Sequence, residues 1–187
     1  GRAGMARLLP LSRSEMRRGG VARASLEDSL FVGGYPALHA TRGAALDPHL
    51  WFSSYVATYL ERDVRQLLAV ADLALFQRFL SLCAARSGQL LNLNSLAADC
   101  GIAQPTARRW LTVLQASDVV ALLPPYHRNF GKRLVNTPKL YFIDTGLLCW
   151  LLRVADAPTL LTHAARGAIC ETWVIGETLK HRLHHGL

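Results

Sequence analysis

The sequence holds no run of about 18 or more apolar residues, so no membrane-spanning helix is expected. Its N-terminus lacks the apolar core of a signal peptide. It has no C-x-x-C pair. The four cysteines, Cys83, Cys100, Cys149 and Cys170, each lie among apolar neighbours and read as small buried hydrophobes, reduced thiols of a cytoplasmic protein. There is no G-x-x-x-x-G-K-[ST] segment, which excludes a P-loop. No local Ser/His/Asp or Cys/His arrangement indicates a nucleophile. Internal repeats and low-complexity tracts are missing too. Acidic residues are few: 13 Asp and Glu stand against 21 Lys and Arg, giving a net charge of +8 and a pI near 9.9. That imbalance favours polyanionic partners such as DNA or RNA, although it fixes neither fold nor sequence preference.

What is present is apolar enough to fold. Hydrophobic residues make up 51% of 187, sufficient for one large domain or two small ones, and disorder across the whole chain is not expected. Residues 7–12 form a short apolar run stopped by Pro10 and read as a strand. Residues 13–29, with Arg13, Arg17, Arg18 and Arg23, read as a solvated loop or helix face, and residues 33–36 as a turn. A long helix is predicted from Asp47-Pro48 to near Leu68, with Trp51, Tyr55, Tyr59 and Asp63 on one stripe. Glu61, Arg62 and Asp63 read as a structural ion-pair cluster. A second helix over 71–86 places Leu73, Phe76, Leu80 and Cys83 on its buried face.

Residues 92–117 are the most readable unit. Asn94 is expected to cap a short helix over 95–100, Gly101 to make the turn, and a second helix to span 104–116. The buried stripe of that second helix is Ala107, Trp110, Leu111 and Leu114. A strand at 119–123, a hairpin over 126–135 and a strand at 139–143 complete the pattern of a winged helix. Asp144 can cap the next helix, from 145 to about 153. After a loop at 154–166, a last helix covers about 167–183.

The fold class read from this order is mainly α with a small β-hairpin wing (α+β): a helical linker followed by a winged helix-turn-helix. Gln104, Thr106, Arg108, Arg109 and Thr112 lie off the buried stripe and suit phosphates and base edges. His127, Arg128, Lys132 and Arg133, with Lys139 nearby, make the hairpin basic. Docking of a protein, or self-association, is the competing use of such a module. Glu171 and Glu177 stand six apart on the last helix, about 240° around its axis, and cannot act as a pair alone. His181, His184 and His185 form a weak metal-binding pattern at a helix end.

Several segments, in order, resemble one family: 1–12, Gly33-Gly34-Tyr35-Pro36, Tyr59-Leu60-Glu61-Arg62-Asp63-Val64, Gly131-Lys132-Arg133-Leu134-Val135, Pro138-Lys139-Leu140-Tyr141-Phe142 and Asp144-Thr145-Gly146-Leu147. It is the prokaryotic AAA-superfamily ATPases with a C-terminal domain of unknown function 4143. The resemblance implies that residues 1–45 end an ATPase module and its connecting loop, 46–68 form a linker helix, 69–155 a winged-helix domain, and 156–187 the start of a truncated nuclease-like domain. Both chain ends then read as cuts, and a parent protein would bind ATP and Mg. Glu171 matches the helix glutamate of the nuclease-like part, whose other acidic residue and lysine would follow residue 187. Ala103 departs from the serine usual at the second helix's cap, and Asn136 from a lysine common in the wing. The expectation is a fragment without catalysis or bound cofactor, contacting duplex DNA through Gln104, Thr106, Arg108, Arg109, Thr112, Arg128, Lys132, Arg133 and Lys139. The alternative is a module that docks the upstream ATPase or forms oligomers.

Overall fold

Two serines open the first two helices of the chain in the computed structural model, which describes residues 7–40, 46–59, 73–126 and 137–184. Ser12 caps α1 (Arg13–Arg18) through a capping box: its hydroxyl accepts from the Glu15 N–H at 3.3 Å, and its own N–H donates to Glu15 Oε2 at 2.8 Å. Ser25 caps α2 (Leu26–Val32) by accepting from the Asp28 N–H at 3.0 Å. The basic stretch 13–29, read as a solvated loop or helix face, therefore holds one short helix and most of a second. The strand predicted at 7–12 does not form. Pro10 has no N–H, and Ser12 is turned to serve the cap. The Leu11 N–H donates to the Gly34 carbonyl at 2.7 Å, and the Leu11 carbonyl accepts from Lys180 Nζ at 3.2 Å.

A 3₁₀ turn (Pro36–His39) leads towards α3 (Pro48–Tyr59). Trp51, Tyr55 and Tyr59 share one stripe of α3, as their four-residue spacing predicts, and there they stack with interplanar angles of 10° and 11°. The rest of that predicted helix, with Glu61, Arg62 and Asp63, lies outside the described residues. α4 (Leu73–Ala84) buries Phe76, Phe79, Leu80 and Cys83. α5 (Leu93–Cys100) is capped by Asn92 rather than Asn94: Asn92 is extended and its Oδ1 accepts from the Ser95 N–H at 3.0 Å, whereas Asn94 already sits in the first turn. Gly101, at φ 79°, ends α5 in the left-handed region. α6 (Gln104–Ala116) follows, and its buried face is Ala107, Trp110, Leu111 and Leu114, as the spacing predicts. Ala103 offers this helix no side-chain cap.

β1 (Val120–Leu123) pairs antiparallel with β2 (Lys139–Phe142), Val120 opposite Phe142 and Leu123 opposite Lys139. The chain between them, residues 127–136, lies outside the described residues, and with it the predicted wing. α7 (Thr145–Leu151), capped by Asp144, and α8 (Arg166–His184) close the fold, with a 3₁₀ turn (Pro158–Leu161) between them. The architecture is mainly helical with a small two-stranded antiparallel sheet, an α+β arrangement.

One continuous cluster of buried side chains runs from Leu30 on α2 through Phe52, Phe76, Trp110 and Phe142 to Ile169 on α8. Phe76, Phe79 and Trp110 meet edge-on or tilted at 5.1–6.3 Å. α7 packs on α2, α3, α4 and α8, while α5 lies between α4 and α6. All four cysteines are free, and burial pushes the thiols of Cys83 and Cys149 up, away from reactivity. Among the described residues no helix is long and apolar enough to cross a membrane.

Candidate nucleic-acid interface

α5, the Gly101 turn and α6 present one polar helix face to solvent. The core anchors the opposite face of α6 through Trp110 and its neighbours, so the exposed side chains have a fixed frame. Gln104, Arg108, Thr112 and Arg109 fall within an arc of about 140°. Arg108, Arg109 and Thr112 are exposed, and Gln104 is half-buried at the first turn. Thr106 lies on the flank beside the buried stripe and is half-buried. The Thr112 hydroxyl donates to the Arg108 carbonyl at 3.0 Å, which leaves its lone pairs outward.

The acids near this surface are engaged elsewhere. Asp99 on α5 pairs with Arg86, and Asp118, after α6, pairs with Arg7. Among the described residues neither Arg108 nor Arg109 has an ion-pair partner. Their charge is thus uncompensated locally, as a phosphate-contacting surface requires.

The remaining predicted contacts divide. Arg128, Lys132 and Arg133 lie outside the described residues. Lys139 does not join the α6 set: its Nζ donates to Glu171 Oε1 at 2.9 Å, across from β2 to α8. The Tyr141 hydroxyl donates to the same oxygen at 2.6 Å. These bonds, Tyr141 first and Lys139 second, hold the Glu171 carboxyl below its ordinary range. Glu171 therefore fastens the sheet to the last helix.

A second polar centre lies where the Gly33-Gly34 turn, the start of α7 and α8 converge. Asp144 is fully buried; its Oδ1 accepts from the Leu147 N–H at 2.9 Å and its Oδ2 from the Gly34 N–H at 2.7 Å. Desolvation pushes its carboxyl up, against the pull of Lys180 and of the N–H groups of Gly34, Leu147 and Gly146. Lys180, 4% exposed, donates to Glu177 Oε1 at 3.2 Å, and Glu177 Oε2 accepts from the Arg13 N–H at 2.8 Å. The sequence reading missed this centre, although Glu177, Lys180, His181 and His184 repeat at 3, 4 and 7 on one face of α8. Among the described residues no group of three or more His, Cys, Asp or Glu could hold a metal ion. His185 lies outside them.

The model of a family described as "Domain of unknown function (DUF8612)" matches residues 23–157. Two uncharacterized proteins, one of Mycobacterium bovis and one of Mycobacterium tuberculosis, are each 37% identical over 174 residues, covering 92% of this chain. The chain spans 38% of the length of each. No solved structure matches. The chain belongs to the DUF8612 family. This corrects the resemblance to AAA-superfamily ATPases with domain 4143: the match over 23–157 is to a different family. Two of the short motifs behind that resemblance, those holding Gly34 and Asp144, have local structural jobs. Asp144 caps α7 and receives the Gly34 N–H, and a Cβ on Gly34 would lie 2.3 Å from the Leu11 carbonyl oxygen. Such demands recur wherever a turn packs against a helix start, so these two motifs do not identify a family. The implications that rested on the resemblance alone, namely ATP and Mg, an upstream ATPase and a nuclease-like end, lose their basis.

Proposed function

We propose that this member of the DUF8612 family is a binding module that contacts duplex DNA through the exposed face of α6, used as the recognition helix of a helix-turn-helix. The single observation that carries the reading is the adjacent pair Arg108 and Arg109, exposed on a helix whose other face is locked into the core. Gln104 and Thr112 share that face and supply the hydrogen-bonding types that read base edges or grip phosphates. The chain's charge of +8 favours a polyanion in the same direction. The hairpin stem β1–β2 leads into residues 127–136, whose Arg128, Lys132 and Arg133 would add backbone contacts. Lys139 is not among the proposed contacts, because Glu171 neutralises it.

The test is fluorescence anisotropy of a labelled duplex of about 30 base pairs at two salt concentrations. Wild type should bind more tightly at low salt. Arg108→Ala/Arg109→Ala should weaken binding and flatten the log–log salt dependence by about 0.9 for each phosphate that is no longer neutralised. Arg166→Ala, far along the chain on α8 and paired with Glu27, should leave it unchanged. Equal binding by wild type and the α6 double variant would refute the interface. A second reading, docking of a protein, draws on Leu90, Leu123 and Tyr126, exposed beside the sheet. DNA-independent self-association or partner capture that disappears in Tyr126→Ser would favour it.

A further inference from the structure

α1 and the C-terminal half of α8 face each other across a cleft of about 740 Å³. That volume lies within the range of roughly 300–1,000 Å³ typical of small-molecule sites. One wall carries Arg13, Arg17 and Arg18, and the other carries Glu177, His181 and His184. None of these belongs to the α6 face, so a role for the cleft is independent of the DNA reading.

The charges do not cancel. Glu177 is the one carboxylate among the lining residues, and both its oxygens are taken, by the Arg13 N–H and by Lys180. Glu15 stands beside the cleft and is drawn inward. Burial pushes its carboxyl up, but the Ser12 N–H and hydroxyl, then His184 and Arg18, outweigh this and hold it in its anionic form. Arg13 is steadied by Trp173, whose ring centre lies 5.9 Å from its guanidinium carbon. Arg17 and Arg18 have no ion pair among the described residues. The buried side of the cleft is therefore internally paired, whereas its open side presents the exposed side chains of Arg17 and Arg18, the latter sharing the charge of Glu15 with His184.

We infer that this cleft is a binding site for a small phosphate-bearing ligand, gripped by Arg17 and Arg18 with Arg13 behind them. Each guanidinium fork takes two acceptor oxygens, so two forks together call for more oxygens than one carboxylate offers, which favours a phosphoryl group. The volume leaves room for an organic part of nucleotide size beyond the phosphates.

The test is isothermal titration calorimetry of the full chain with inorganic pyrophosphate at low salt. Wild type should bind. Arg17→Ala/Arg18→Ala should lose on the order of tenfold or more in affinity. Arg17→Gln/Arg18→Gln, which keeps the side-chain stems, should lose as much, and thermal melts should show both variants folded. Arg108→Ala/Arg109→Ala should bind pyrophosphate as wild type does. No binding by wild type, or unchanged affinity in both cleft variants, overturns the assignment. Displacement of pyrophosphate by a nucleoside diphosphate supports a small ligand. Displacement by duplex DNA alone, in the Arg108→Ala/Arg109→Ala background, overturns that choice and gives the cleft to a nucleic-acid backbone.

Discussion

Gly146, in the first turn of α7, is the position where helix propensity and packing make opposite demands. An alanine there would gain up to about 1 kcal/mol if the helix were free in solution. In the fold, a Cβ at this position would stand 2.4 Å from the Val32 carbonyl oxygen, 2.7 Å from its carbon and 2.9 Å from the Gly33 nitrogen. The shortest of these is about 1 Å less than an ordinary contact. The obstacle is main chain at the end of α2, and it cannot rotate aside. It is also anchored: the Gly33 N–H donates to the Ser29 carbonyl at 3.1 Å, and the Gly34 N–H donates to Asp144 at 2.7 Å. Relief requires α7 to move off α2, and Asp144, which caps α7, moves with it. Overpacking of this kind costs about 1–3 kcal/mol, and weakening one buried hydrogen bond adds about 1 kcal/mol. After the propensity gain, Gly146→Ala should lose about 1–3 kcal/mol. For a chain of this size each kcal/mol lowers Tm by about 2–4 °C. Urea denaturation and thermal melts read the change. Gly167→Ala is the control: it lies in the first turn of α8, its Cβ would have nothing within 4 Å, and it should gain about 0.5 kcal/mol. A Gly146→Ala variant as stable as wild type, or more so, would refute the claim that α2 and α7 touch backbone to helix.

Two further outcomes concern the buried and bridging carboxylates. Asp144→Ala removes the acceptor for both the Leu147 and the Gly34 N–H and should lower stability by about 2–4 kcal/mol in urea denaturation; a loss under about 1 kcal/mol would show the bonds are not made in solution. Glu171 is held below its ordinary 4.5 by the Tyr141 hydroxyl first and Lys139 second. With the folded value below the unfolded one, its contribution is present above 4.5 and is lost as pH falls through the folded value. Glu171→Gln should therefore flatten the acid side of the stability profile, measured as urea midpoints from neutral to acidic pH, and an unchanged slope would contradict the bridge.

Local patterns were legible where a helix alone sets them. The bounds of α6 and its buried face follow from a period of 3.6, and the left-handed turn at Gly101 follows from the missing Cβ. The four-residue spacing of Trp51, Tyr55 and Tyr59 placed them on one stripe, and their stacking there is a structural finding that needs no partner from elsewhere. The cap expected at Asn94 falls on Asn92 instead, since the same residue type stands at both positions and only the backbone entering the helix chooses between them. The run at 7–12 misled, because an apolar hexamer has the same appearance whether it pairs as a strand or merely leads into a cap.

By itself, then, the sequence determined the helices from Pro48 onward and the faces they bury, the α+β class and the excess of positive charge, but not α1 and α2. Tertiary structure decided which charges remain available. Lys139 was as basic on paper as Arg108, but a glutamate 32 residues away neutralises it. Gly34 and Asp144 meet across 110 residues, and Arg13 and Glu177 across 164. Such meetings depend on how helices cross, and side-chain period carries no information about crossing. The exposed face of α6 is set by its own helix and could be anticipated, whereas the arginine-lined cleft between α1 and α8 depends on a crossing and could not.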